Sequence, residues 1–298
     1  MDGESSPVVR SSELWFDDGT VILQAENTLF RAYRGVLSAQ SPVFRDTFSL
    51  PQPKEQETFD GCPLLHVHDS AADFEIFLSA LHDAGYFANY PVDGFETLTR
   101  LLRLATKYDV EHLRARMVSI LDAIYPSSLT EWLVRSPPAG YTQMEGDDFL
   151  ALDLASEYQL LPPLPGIYFE CSAYTIPNIF ASGIDLKTKE TCVAVEGEFS
   201  DKWARKIVHG VLCPSETNAC NDPTSCDRVR LGLVSQNGLP KLAELFDCSW
   251  RWDRSTLCVQ CKATAQKEYD SAVRKLWDVL PSLFGLPEWE VLLGTESG

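Results

Sequence analysis

The period of the apolar positions changes several times along the chain, and each change marks an element. After the turn signal Asp17-Asp18-Gly19, where glycine supplies positive φ, come the β-branched run "TVILQ" and then "TLFRAY". In the second run Leu29, Arg31 and Tyr33 share one face and Phe30 and Ala32 the other, so the two predict a β-hairpin. From Arg34 the spacing turns helical through Val36, Leu37 and Gln40. Ser41-Pro42 then opens a second short helix carrying Val43, Phe44, Thr47 and Phe48. Residues 51–61 read as a polar loop and "CPLLHVHD" as a third strand. Asp69 or Ser70 caps a helix with Phe74, Phe77, Leu78 and Leu81 at i, i+3, i+4, i+7 spacing. A loop is expected at "DAGYFANYPVDG". The most periodic stretch follows: Leu98, Leu101, Leu102, Ala105 and Tyr108 form one stripe. After a break near Asp109, Leu113, Met117, Ile120 and Leu121 form another.

The second half reads as mostly helical. The punctuated stretch 126–145 suggests a boundary. Asp147 or Asp148 is expected to cap a helix bearing Phe149, Leu150, Leu152 and Leu154. Leu160, Leu161, Leu164 and Ile167 make an apolar turn before another helix through Tyr168 and Tyr174. "FSDKWARKIVHGVL", "CDRVRLGLVSQ" and "LPKLAELF" are further helix candidates. In the closing segment Val273, Leu276, Trp277 and Leu280 carry helical periodicity. It is expected to end at Pro281, with Phe284 and Trp289 in a short docking tail. No repeat of 20–50 residues is apparent.

Composition narrows the class. The chain has 298 residues, enough for two domains, with 45% hydrophobic and 23% charged residues, an ordinary globular balance. A net charge of −18 repels phosphate backbones, so no nucleic-acid partner is expected. The first residues, "MDGESSPVVRSS", lack the features of a secretory signal, and no apolar run is long enough for a membrane span. The expected location is the cytoplasm or nucleus, where thiols stay reduced; nine cysteines, an odd number, fit a closed disulfide framework poorly.

The cysteines carry the clearest chemistry. "CNDPTSC" holds Cys220 and Cys226, and "CVQC" holds Cys258 and Cys261. Zinc takes four soft ligands in a tetrahedron, and a short spacing within each pair lets one turn supply two of them. A structural zinc site on these four residues is therefore expected, with Cys213 and Cys248 as alternative ligands. The competing reading is a set of small buried thiols. A redox C-x-x-C belongs after a strand in a βαβ unit, which is not seen here. Four sulfur ligands would leave no place for water, which argues against a metal-dependent enzyme. No G-x-S-x-G, P-loop or H-E-x-x-H motif occurs, so no catalytic residue is assigned and the protein is not expected to be an enzyme. His66 and His68 are expected on opposite sides of their strand, and His82, His112 and His209 stand isolated. Trp250 and Trp252 are read as packing residues.

The order of blocks adds a resemblance. "FRAYRGVLSAQSPVFRDTF", then "PLLHVHD" before "FEIFLSALH", then "LLRLATKYDVEHLRARMVSIL", resembles a BTB/POZ domain, and is most similar to BTB proteins common in basidiomycete fungi. The resemblance implies an α+β fold, a small sheet covered by helices. The expected organisation is a polar, disordered tail at 1–12, a BTB/POZ-like domain at 13–125, a helical extension at 126–185 and a helical cysteine-containing region at 186–298. Where the family's first block usually has a histidine this chain has Tyr33, whose ring and hydroxyl are expected to take over a structural role. The resemblance further implies a protein–protein interaction module that forms a homodimer through Leu14, Phe16, Val36 and Leu37. It also raises a narrower role as a substrate adaptor of a cullin-type ubiquitin ligase. A transcription regulator is a weaker reading, because the chain lacks zinc-finger repeats and basic stretches.

Overall fold

The computed structural model describes residues 7–51, 57–83, 85–89, 92–205, 220–237, 242–246 and 255–294. The chain divides into two compact units. One comprises residues 1–120 with 137–144, the other residues 121–136 with 145–298. The stretch expected to be a separate extension at 126–185 thus falls mostly with the C-terminal residues, and the chain crosses between units more than once.

The first unit is built on a five-stranded sheet, β1 (Val9–Trp15), β2 (Val21–Ala25), β3 (Thr28–Ala32), β4 (Thr58–Phe59) and β5 (Cys62–Val67), in the order β1-β3-β2-β5-β4. β2 and β3 form the expected antiparallel hairpin, closing at Ala25↔Thr28, and β5 joins β2 in parallel. Two strands lie outside the three read from the periodicity. β1 starts at Val9, inside the stretch expected to be a tail, because its partner is distant: it pairs in parallel with β3, and the Val9 N–H donates to Asn27 O at 2.8 Å. β4 is a two-residue strand beside β5.

Helices α1 (Arg34–Gln40), α2 (Pro42–Ser49), α3 (Ala71–His82), α4 (Tyr86–Asn89), α5 (Phe95–Lys107) and α6 (Glu111–Ile124) complete this part; α4 lies where a plain loop was expected. Ser70, not Asp69, caps α3 by accepting from the Asp73 N–H. Asp69 instead accepts from the Tyr108 hydroxyl and from Lys107. Alternating strand faces and helical stripes converge on a cluster of rings. Phe44 stacks on Tyr108 with centroids 4.7 Å apart, Phe77 lies 5.3 Å from Tyr108, and Phe30 meets Phe74 edge-on at 5.8 Å. Tyr33 packs its ring 4.9 Å from Phe16 and donates its hydroxyl to Asp18, so both parts of the side chain are used.

The second unit is helical: α7 (Leu129–Val134), α8 (Asp147–Glu157), α9 (Leu164–Ala173), α10 (Ile176–Ala181), α11 (Leu186–Glu198) running on into a π-turn at Phe199–Trp203, α12 (Pro223–Asn237), a 3₁₀ turn at Leu242–Glu244, α13 (Val259–Leu283) and α14 (Trp289–Leu292). Its core is a knot of Trp132, Phe169, Phe246 and Trp277, with ring centroids 4.9–6.0 Å apart among the contacting pairs. Gly166 lets α9 approach this knot: a Cβ there would stand 2.5 Å from the Trp132 ring.

Two expectations for this unit are corrected. The N-cap of α8 is Gly146, in the left-handed region, not Asp147 or Asp148. Asp148 is buried and accepts from the Tyr125 and Tyr174 hydroxyls at 2.7 and 2.8 Å, so its carboxylate serves the core rather than the cap. Nor does the last long helix end at Pro281: α13 runs through it to Leu283. Proline has no N–H for the carbonyl four residues earlier. That carbonyl belongs to Trp277, and the indole N–H of Trp289 donates to it at 2.8 Å. The two indoles stack 5.1 Å apart, so the tail supplies the donor that the proline lacks.

One device recurs in both units. "LATKYDV" ends α5 and "LASEYQL" ends α8. In each a tyrosine is the C-cap and the next residue is left-handed, Asp109 at φ 53° and Gln159 at φ 52°. The amide after it reaches back to an alanine carbonyl, Val110 to Ala105 at 2.7 Å and Leu160 to Ala155 at 2.8 Å, which is the Schellman pattern.

Candidate metal centre

Two helix starts in the second unit hold the four cysteines predicted as ligands. "NDP" is a helix-start signature: Asp222 accepts from the Ser225 N–H at 3.0 Å and Pro223 is the first residue of α12. This sets Cys220 just before the helix and Cys226 in its first turn. Cys258 is itself the N-cap of α13, so Cys261 lies one turn into that helix. Both pairs therefore bring their sulfurs to the positive end of a helix.

The result is a cluster. The sulfurs of Cys220, Cys226, Cys258 and Cys261 all lie within 4.8 Å of one another, with Cys220 and Cys258 at 4.0 Å. A zinc–sulfur bond of about 2.3 Å places tetrahedral sulfurs roughly 3.8 Å apart. The donor set fits such an ion after shifts of an ångström or less. Among the described residues the cysteines are free thiols, and this is the one group of metal-ligating residues found. The alternative ligands Cys213 and Cys248 lie outside the described residues, as do His209, Trp250 and Trp252.

The surroundings treat the thiols unequally, raising Cys226 and Cys261 and lowering Cys258. The Cys258 thiol is pulled down to about 6, first by the N–H of Cys261 and then by that of Asn221, both donating to its sulfur. The Cys258 N–H in turn donates to Cys226 Sγ at 3.5 Å. Burial pushes the Cys261 thiol up, while the Arg230 guanidinium beside it acts the other way. Arg230 donates to Cys261 Sγ at 3.0 Å. The sequence reading missed this arginine, although "CDRVR" signalled it: four residues after Cys226, it lies on the same face of α12.

The four residues expected at a dimer face divide in the first unit. Leu14 and Leu37 are 5% and 0% exposed within the chain itself, while Phe16 and Val36 are half-buried. Leu14 and Phe16 line a cleft of about 750 Å³ between β1 and α3, bordered by Glu13, Glu75 and Asp83. His66 and His68 do not point to opposite sides. His68 lies just past β5, and both histidines are exposed, with His66 Nε2 2.9 Å from Glu57. His82 is different: its Nδ1 sits 2.9 Å from the Leu78 carbonyl, and burial holds its pKa below the usual value.

Comparison with known proteins agrees with this architecture. The BTB/POZ domain family model matches residues 12–125, the stretch that holds the sheet and α1 to α6. The chain thus carries a BTB/POZ domain at its N-terminus, a class of domain that serves protein–protein interaction, followed by a helical region with a cysteine cluster. No curated protein matches the chain. No described helix is long and apolar enough to cross a membrane.

Proposed function

We propose that the protein is a non-enzymatic interaction protein. In this reading its BTB/POZ domain forms a homodimer and recruits a protein partner, and its C-terminal half is braced by a structural zinc ion on Cys220, Cys226, Cys258 and Cys261. The match over residues 12–125 carries the first part. The domain offers physical means for pairing: β1 is an edge strand of the sheet, with Phe16 just beyond its end partly exposed, and Val36 on α1 is partly exposed too. Because Leu14 and Leu37 are buried in the monomer, Phe16 and Val36 are the pair to test. Light scattering of the full chain across a concentration series is expected to give a dimer; a monomer at every concentration rejects this part.

The thiol cluster supports the second part. Four sulfurs close a tetrahedral shell and leave no position for water, so the ion braces the fold rather than catalysing a reaction. Elemental analysis of purified protein is expected to give one zinc per chain; a metal-free protein rejects it. Free thiols fit a reducing compartment, the cytoplasm or nucleus.

A narrower version is a substrate adaptor of a cullin-type ubiquitin ligase. The paired helices α8 and α9 after the BTB/POZ domain favour it, since helices in that position assist such contacts in the family the sequence resembles. A pulldown without cullin removes this version and leaves the interaction role intact.

A further inference from the structure

Arg230 is 5% exposed, yet it carries a guanidinium charge. Its partners are unequal. Nη1 donates to Asp227 at 2.8 Å, but that carboxylate is 64% exposed and screened by water. Nη2 donates to Cys261 Sγ at 3.0 Å, and Nε is buried with no partner among the described residues. A buried cation needs a buried anion nearby. A neutral thiol is a weak acceptor and does not meet that need. A metal-bound thiolate does, and four thiolates on a divalent ion leave an excess of two negative charges.

We propose that Arg230 is the charge-compensating residue of the tetrathiolate centre: it offsets that excess and, through its bond to Cys261 Sγ, positions that sulfur. This rests on the reading of the four cysteines as a metal centre. The helical spacing makes the arrangement compact, because α12 contributes both the ligand Cys226 and, one turn on, the guanidinium facing a ligand of α13. Groups around a first ligand shell commonly set its affinity. The bond also draws charge from one sulfur of the four. Cys261 becomes the least reactive ligand, and Cys220 and Cys258, which are half-buried, become those an electrophile reaches first.

The test uses the full-length chain with Zn²⁺ and Co²⁺ as probes, comparing Arg230→Met, which keeps length without charge, and Arg230→Lys, which keeps charge without the planar fork. Chelator competition is expected to show Zn²⁺ affinity lowered about 10–100-fold in Arg230→Met and by less in Arg230→Lys. In the Co²⁺ form of Arg230→Met the sulfur-to-metal charge-transfer band is expected at lower energy, because the sulfur has lost a donor. Unchanged affinity in both variants overturns the proposal. So does lowered affinity with an unmoved band, which is what a merely structural arginine would give. A wild-type chain that binds neither ion rejects the metal centre itself, and this inference with it.

Discussion

The BTB/POZ domain and the helices α12 and α13 are held by different contacts. In the first, residues from β3, α2, α3 and the end of α5 converge on one ring cluster, and Phe30, Phe44, Phe74 and Phe77 are 0–1% exposed. Its stability resides in dispersed apolar burial, and no single contact is decisive. In the second, α12 and the first turns of α13 meet at four sulfurs and one guanidinium. The apolar knot of the second unit lies further along α13, at Trp277. Where apolar contacts are few, a coordinated ion can replace them, but stability then depends on one centre.

The sharpest way to break the comparison is to remove that centre. Chelation of the proposed zinc ion, or Cys261→Ser, is expected to cost the second unit on the order of 5 kcal/mol or more, since structural zinc sites contribute folding free energy directly. Hydrogen exchange on the full chain reads the two regions separately. Amides of α12 and the start of α13 should lose protection, while those of β2, β3 and β5 should not. Equal loss in both regions would show that the domain also leans on the centre.

The converse change is Phe74→Ala. It deletes a fully buried ring from the first cluster and is expected to cost about 3–5 kcal/mol. Zinc content should stay at the wild-type level. Loss of zinc in this variant would erase the distinction between the two regions.

Which features were legible in the sequence follows the same division. The stripes on α3, α5 and α6 and the β2–β3 hairpin are local patterns, and the chain obeys them. β1 is polar at most positions and exists because β3 pairs with it in parallel, a long-range choice that leaves no period to read. Pro281 misled for the same reason: the donor that keeps α13 intact comes from Trp289, beyond the helix. Asp148 looks like a cap in sequence, and only the two tyrosines brought to it by folding show its use. The clustering of the four thiols was legible because the cysteines come in two closely spaced pairs in the sequence. For Arg230 the sequence shows only that it shares a helix face with Cys226; its bond to Cys261 depends on α12 and α13 meeting.

Gly166→Ala tests the apolar knot of the second unit apart from its thiol cluster. The added methyl would sit 2.5 Å from the buried Trp132 indole. The expected cost is about 1–3 kcal/mol, the usual range for overpacking. It should appear as lost exchange protection in α9 with metal affinity unchanged. A parallel drop in zinc affinity would mean that knot and clamp are one cooperative element rather than two.

The smallest effect comes from the device that both units share. Asp109 and Gln159 occupy the left-handed position after α5 and α8, where a side chain costs energy that glycine does not. Aspartate tolerates that conformation better than glutamine, because its short side chain can bond locally. Gln159→Gly is therefore expected to stabilise the second unit by about 0.5–1 kcal/mol and Asp109→Gly the first by less. Chemical denaturation followed by exchange in each unit would measure both. If Asp109→Gly gains as much as Gln159→Gly, the backbone alone sets the cost at these two helix ends and the side chain plays no part.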